Sequence, residues 1–191
     1  MESSMKNRIW VLLPLLFLAT VILPSGCGLK SEEDKVSYEH AVVNKVVLIS
    51  EELDSKGNPT GKTDSVLVRS LPVTSGKPAL EGILDLKDGK SYNGSFLLFN
   101  ESTSLQTDLT SDIDSKNNGH QFRFSTLNSK VYLTALSQDS KFENYGRTFV
   151  FKTNGTGDDS LKITLSHFES GEKTSGTFSV DFNGSFPIQV K

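Results

Sequence analysis

The chain has 191 residues, 36% hydrophobic and 23% charged, which is enough for one globular domain with its own core and short of two. Its 20 basic and 23 acidic residues give a formal charge of −3 with the signs mixed along the chain, so no surface for nucleic acid is expected. A single cysteine excludes an internal disulfide and leaves the core alone to stabilise the fold.

Lys6 and Arg8 precede an apolar run from Ile9 to Leu23, broken by Pro14 and Thr20 and followed by Pro24-Ser25-Gly26-Cys27. A basic start, a short apolar stretch and small residues before a cleavage point are the layout of a secretory signal. As a helix the run spans about 22 Å against a hydrocarbon core of about 30 Å, which is short for a permanent span. Met5 is as good a candidate start as Met1, because everything the signal needs follows it.

Ser25-Gly26-Cys27 at the end of the apolar run resembles a bacterial lipobox, with Pro24 where that motif usually has Leu. The resemblance implies cleavage before Cys27, a diacylglycerol thioether on its sulfur and an N-acyl chain, with no other cofactor. A plain signal peptide or an uncleaved anchor helix are the competing readings. Each buried methylene contributes about 0.8 kcal/mol, so two or three chains anchor firmly where one is reversible. Gly28-Leu29-Lys30-Ser31-Glu32-Glu33-Asp34-Lys35 then reads as a charged tether without apolar periodicity. Gly28 in place of Asp lacks the inner-membrane retention signal of enteric bacteria. Lys30 to Asp34 resembles the acidic surface-export signal of Bacteroidota lipoproteins, with a merely soluble linker as the alternative. The expected organisation is a signal peptide over 1–26, a lipidated cysteine and tether over 27–40, and one domain over 41–191.

The domain alternates short stretches rich in β-branched and aromatic residues with Gly, Asn, Asp and Ser clusters. This predicts an all-β fold, an antiparallel β-sandwich of about 8–10 strands, immunoglobulin-like or jelly-roll-like. Val42 to Ser50 and Ser65 to Arg69 read as a hairpin with a long tip over Asp54 to Gly61. Gly82 to Leu86 and Tyr92 to Phe99 flank Asp88-Gly89, a strong hairpin signal. In the latter strand Tyr92, Gly94, Phe96 and Leu98 alternate with Asn93, Ser95 and Leu97, so one face is expected to be buried. The spacing of Leu105, Leu109 and Ile113 predicts a short amphipathic turn of helix crossing between sheets. Further strands are expected over His120 to Ser125, Lys130 to Ser137, Arg147 to Lys152, Ser160 to Phe168, Gly176 to Phe182 and Phe186 to Val190. Asn154-Gly155, Ser170-Gly171 and Asn183-Gly184 read as turns between them.

Catalytic motifs fail. Gly61-Lys62-Thr63 and Gly89-Lys90-Ser91 echo the end of a P-loop, but Lys56 and Leu84 stand where the opening glycine belongs and no helix follows. There is no G-x-S-x-G elbow and no cysteine in the domain to act as nucleophile. Asp112 to Gly119 begins like a calcium loop, yet Lys116 takes a ligand position and Arg123 replaces the bidentate Glu. The chain is therefore not expected to be an enzyme.

Of the three histidines, His120 and His167 each fall at an expected strand end. If those strands are neighbours, two imidazoles with a carboxylate such as Asp112 or Glu169 could bind zinc or copper. Structural histidines are the competing reading, and His40 has no such setting. Asp64-Ser65-Val66 and Asp159-Ser160-Leu161 resemble the three-residue O-glycosylation signal of Bacteroidota, which would modify Ser65 and Ser160.

Val43-Asn44-Lys45-Val46-Val47-Leu48, Leu98-Phe99-Asn100-Glu101-Ser102, Asp112-Ile113, His120-Gln121-Phe122, Leu161 to His167 and Phe186 to Val190 together resemble small outer-membrane lipoproteins of Bacteroidota of unknown function, some labelled periplasmic-binding-like. The resemblance implies an outer-membrane address, on the periplasmic or cell-surface side, and brings no known activity. The leading expectation is a non-catalytic accessory module that meets a partner protein in the envelope. The second is a binder of a small ligand or transition metal at His120 and His167.

Overall fold

Alternation of side chains decides the two sheets. The computed structural model describes residues 42–70, 78–102 and 105–191; the leader, Cys27, the tether and His40 lie outside the described residues. Along β5 (Ser91–Asn100), Tyr92, Gly94, Phe96 and Leu98 are buried, while the residues between them are half-buried. The same two-residue period buries Leu161, Ile163 and Leu165 of β10 (Gly157–His167).

The remaining strands among the described residues are β1 (Lys45–Leu53), β2 (Pro59–Arg69), β3 (Leu80–Glu81), β4 (Leu84–Leu86), β6 (Thr107–Asp108), β7 (His120–Thr126), β8 (Val131–Gln138), β9 (Asn144–Thr153) and β11 (Ser179–Val190), with an α-helix, α1 (Thr110–Ser115), and short 3-10 helices at Asn117–Gly119 and Lys173–Ser175. One sheet runs β3-β2-β1-β5-β9-β8 with β6 added on β5, and the other runs β4-β11-β10-β7. All pairs are antiparallel except β4 with β11, which are parallel, so the second sheet is mixed and not purely antiparallel as expected.

The two sheets face each other as a sandwich. Phe96 of the first sheet is fully buried, its ring 5.1 Å from Phe122 and 5.7 Å from Phe186 of the second. Each such ring contributes about 1.5–3 kcal/mol on leaving water, and this Phe cluster does the work that disulfides do in smaller secreted domains.

The β1–β2 hairpin forms as expected, although its tip is tighter: Asp54 Oδ1 accepts the Lys56 and Asn58 amides at 2.8 Å, and β2 resumes at Pro59. A short helix does form between β6 and β7 in the chain and buries Ile113, but of the other two residues whose spacing predicted it Leu109 is only its N-cap and Leu105 lies before it, exposed. Two expectations are corrected. Asp88-Gly89 does not close a hairpin, because β4 and β5 belong to different sheets; the Asp88 amide bonds instead to the Lys191 carbonyl. Asn183-Gly184 is not a turn but the middle of the continuous strand β11. Gly184 is needed there for space, since a Cβ would lie 2.5 Å from the Phe182 ring.

Candidate functional site

His120 opens β7 and His167 closes β10, and antiparallel pairing sets the two directly opposite one another. Their rings stack with centroids 4.7 Å apart and planes 13° from parallel. Both are buried, at 3% and 1% exposure, on the face that carries Phe122 and Leu165 into the core. The conditional reading from sequence, that these strands are neighbours, holds.

The carboxylate that joins them is Asp181, and neither Asp112 nor Glu169. Asp112 is tied to Lys116 at 3.2 Å on the surface, and Glu169 is exposed. Asp181 arrives by a break in register. Leu165 pairs with Phe182 and the next residue, Ser166, with Val180, so Asp181 is the extra residue of a β-bulge. A bulge turns two successive side chains to one side of the sheet. Asp181 thus shares the inner face with Phe182, its side chain 5% exposed, and Val180 is sent outward.

His120 Nδ1 lies 2.9 Å from the Lys116 carbonyl oxygen. A carbonyl only accepts, so Nδ1 carries the hydrogen, and in the neutral ring Nε2 is left with its lone pair. Burial lowers the His120 pKa to about 4; the Lys116 carbonyl opposes this by favouring the charged ring, and the neighbouring His167 reinforces it. The ring is therefore neutral at ordinary pH. Its Nε2 lies 3.6 Å from the Asp181 Oδ2.

One ligand atom from each of His120, His167 and Asp181 falls within 4.8 Å of the other two. A tetrahedral ion with bonds of about 2.0–2.2 Å holds its ligands about 3.3–3.6 Å apart. His120 and Asp181 already stand at that separation, and the widest pair has to close by no more than about 1.5 Å. The stacked rings also require one imidazole to turn, because an ion must lie in the plane of each ring that binds it. Two imidazoles and a carboxylate suit zinc, whose filled d shell tolerates such adjustment.

The connection over residues 168–178 covers this end of the sandwich. The Phe168 amide donates to the Gly119 carbonyl at 2.8 Å, and Arg123 lies 4.3 Å over the Phe178 ring. Lys173 Nζ reaches the buried Asp139 carboxylate at 2.5 Å. A cleft of about 570 Å³ between β2–β3 and β11 is lined by Arg69, Leu80, Asp181 and Phe182. A second depression of about 420 Å³ on the other sheet, around Asn93, Ser95, Ser137 and Thr148, has no titratable side chain in its lining.

The two serines of the glycosylation reading lie apart from this site and from each other. Ser65 is exposed on β2, and its neighbour Asp64 accepts the Asp85 amide at 2.8 Å. Ser160 is half-buried, its hydroxyl on that of Ser185. Asp159 takes the amides of Leu127, Asn128, Lys130, Val131 and Ser160, so this acid organises the β7–β8 turn.

Comparison with protein-family models, curated proteins and solved structures returned no match. Among the described residues, no helix is long and apolar enough to cross a membrane.

Proposed function

We propose that this chain is a non-catalytic, lipid-anchored envelope protein whose sandwich holds a transition-metal ion, best zinc, between His120, His167 and Asp181. The observation that carries the metal reading is the convergence of one ligand atom from each of His120, His167 and Asp181, all within 4.8 Å of one another. A neutral His120, with its hydrogen committed to the Lys116 carbonyl, presents a lone pair to a carboxylate oxygen 3.6 Å away inside the protein. Two imidazoles and a carboxylate converging inside a protein are a donor set that suits a divalent transition-metal cation. The Nδ1 contact to a backbone carbonyl is also the outer-shell bond that orients metal-binding histidines.

Burial supports the non-catalytic part. Structural metal sites are closed, whereas catalytic ones keep an exposed position for substrate, and both rings are almost wholly covered. The anchoring part rests on the basic residues, apolar run and Ser25-Gly26-Cys27 of the leader, together with the resemblance to outer-membrane lipoproteins. An accessory role beside another envelope protein is compatible with such a site and depends on the same anchor.

The test is metal content of the full chain, purified in mild detergent, stripped with chelator and reloaded with zinc. About one equivalent is expected to remain after desalting, and His120→Ala and Asp181→Asn are expected to lose it. Wild-type protein that retains no zinc sinks the metal reading. Separately, Cys27→Ser is expected to move the protein from the membrane to the soluble fraction; a variant that stays membrane-bound sinks the anchor.

A further inference from the structure

The three ligands leave one corner of a tetrahedron, and the register of β10 and β11 points to what fills it. We infer that Ser179 is the fourth donor, its Oγ completing a set of two nitrogens and two oxygens. This rests on the metal reading above and extends it to a residue outside the three-ligand cluster.

Two observations carry it. His167 pairs with Ser179 across the β10–β11 ladder, just as it pairs with His120 on its other side. Directly opposed residues of antiparallel strands project to the same face with Cβ atoms about 4.5–5.5 Å apart. His120, His167 and Ser179 therefore form one row across three strands, with Asp181 delivered to the same face by the bulge two residues on. The second observation is independent of the first. Ser179 Oγ is sealed from solvent and has no hydrogen-bond partner among the described residues. A buried hydroxyl left so loses its hydration without compensation, and native proteins rarely keep one unless an ion or ordered water meets it. A metal ion at the vacant corner gives that oxygen its contact.

Ser166 is the built-in control. Its Oγ is likewise buried without a hydrogen-bond partner among the described residues. It pairs with Gln121 and with the outward-facing Val180, so it belongs to the opposite face of the sheet from the histidines. The inference separates two serines that burial alone treats alike.

The experiment uses cobalt(II) as a spectroscopic stand-in for zinc, in the full chain carrying Cys27→Ser so that no other thiol is present. Adding Ser179→Cys is expected to produce a thiolate-to-cobalt charge-transfer band in the near ultraviolet and to tighten zinc binding at least tenfold. Ser166→Cys is expected to bind cobalt without that band. Should Ser179→Cys take up one equivalent of cobalt and show no such band, position 179 does not reach the ion and the inference is overturned. Should Ser179→Cys lose its strand circular dichroism, Ser179→Ala decides: a loss of zinc affinity of about tenfold or more supports the inference, and unchanged affinity overturns it. Failure of the parent protein to bind cobalt or zinc at all is a different result, which removes the metal site itself and this residue's role with it.

Discussion

Asp181 Oδ2 lies 3.6 Å from His120 Nε2 even though a whole strand, β10, separates their strands. The bulge between Leu165 and Ser166 makes the contact, because in unbroken register Asp181 would face outward with Val180 facing in. Removing one residue at that point is therefore expected to turn Asp181 outward. Deletion of Val180 should leave a β-rich protein that no longer retains zinc, checked by circular dichroism and metal content on the same sample. Zinc retention in that folded variant would show that the bulge is not what builds the site.

Zinc is expected to stabilise the wild-type chain in proportion to its occupancy. At 100 times the dissociation constant the gain is about 2.7 kcal/mol, which for a domain of this size raises the melting temperature by roughly 5–10 °C. Asp181→Asn keeps the shape and removes the charge, so most of that shift should vanish. Thermal melts with and without zinc make the comparison.

Glu101 ties the start of β1 to the end of β2, accepting from Lys45 Nζ and Arg69 Nε, each at 2.8 Å. Burial raises its pKa, and the hydrogen bonds and charges of Arg69 and Lys45 outweigh that, bringing it down to about 2. Because the folded pKa lies below the unfolded value near 4.5, the stabilisation is complete above that pH and is lost as pH falls towards 2. Glu101→Gln should cost about 1–2 kcal/mol at pH 7 and almost nothing at pH 2. Urea melts at the two pH values measure this, and an equal cost at both would contradict it.

Gly94 lies opposite Phe149 on β9, and a Cβ at that position would stand 2.4 Å from the Phe149 ring. Overpacking of this kind costs about 1–3 kcal/mol. Gly94→Ala should lower stability by that amount, and Gly94→Ala with Phe149→Leu should recover part of it. Chemical denaturation of the two variants reads the coupling.

Asp159 accepts five backbone amides around the turn after β7, and these bonds hold its pKa below the usual carboxylate range against the opposing effect of burial. Asp159→Ala strands those donors together and is expected to cost about 2–4 kcal/mol. The same substitution should lower the intact mass of native protein by the side-chain difference alone if Ser160 carries no sugar. A mass decrease beyond the side-chain difference would support the glycosylation reading.

Sequence alone determined the β class, most strand positions and the burial of Tyr92, Gly94, Phe96 and Leu98, because a two-residue period and turn chemistry are local properties of the chain. It also singled out His120 and His167 as a pair worth placing. It misread Asp88-Gly89 and Asn183-Gly184, since a local turn signal cannot say whether the next strand joins the same sheet, or whether a glycine is there for its backbone freedom or for the space a Phe ring takes. Asp181 and Ser179 left no mark in the sequence at all: an acid and a serine at the start of a strand are ordinary. Only the tertiary structure set β10 between β7 and β11, fixed which residue faced His167, and inserted the one-residue bulge that turned a carboxylate inward. Register is a property of two strands together, and a single slip sends every side chain to the other face.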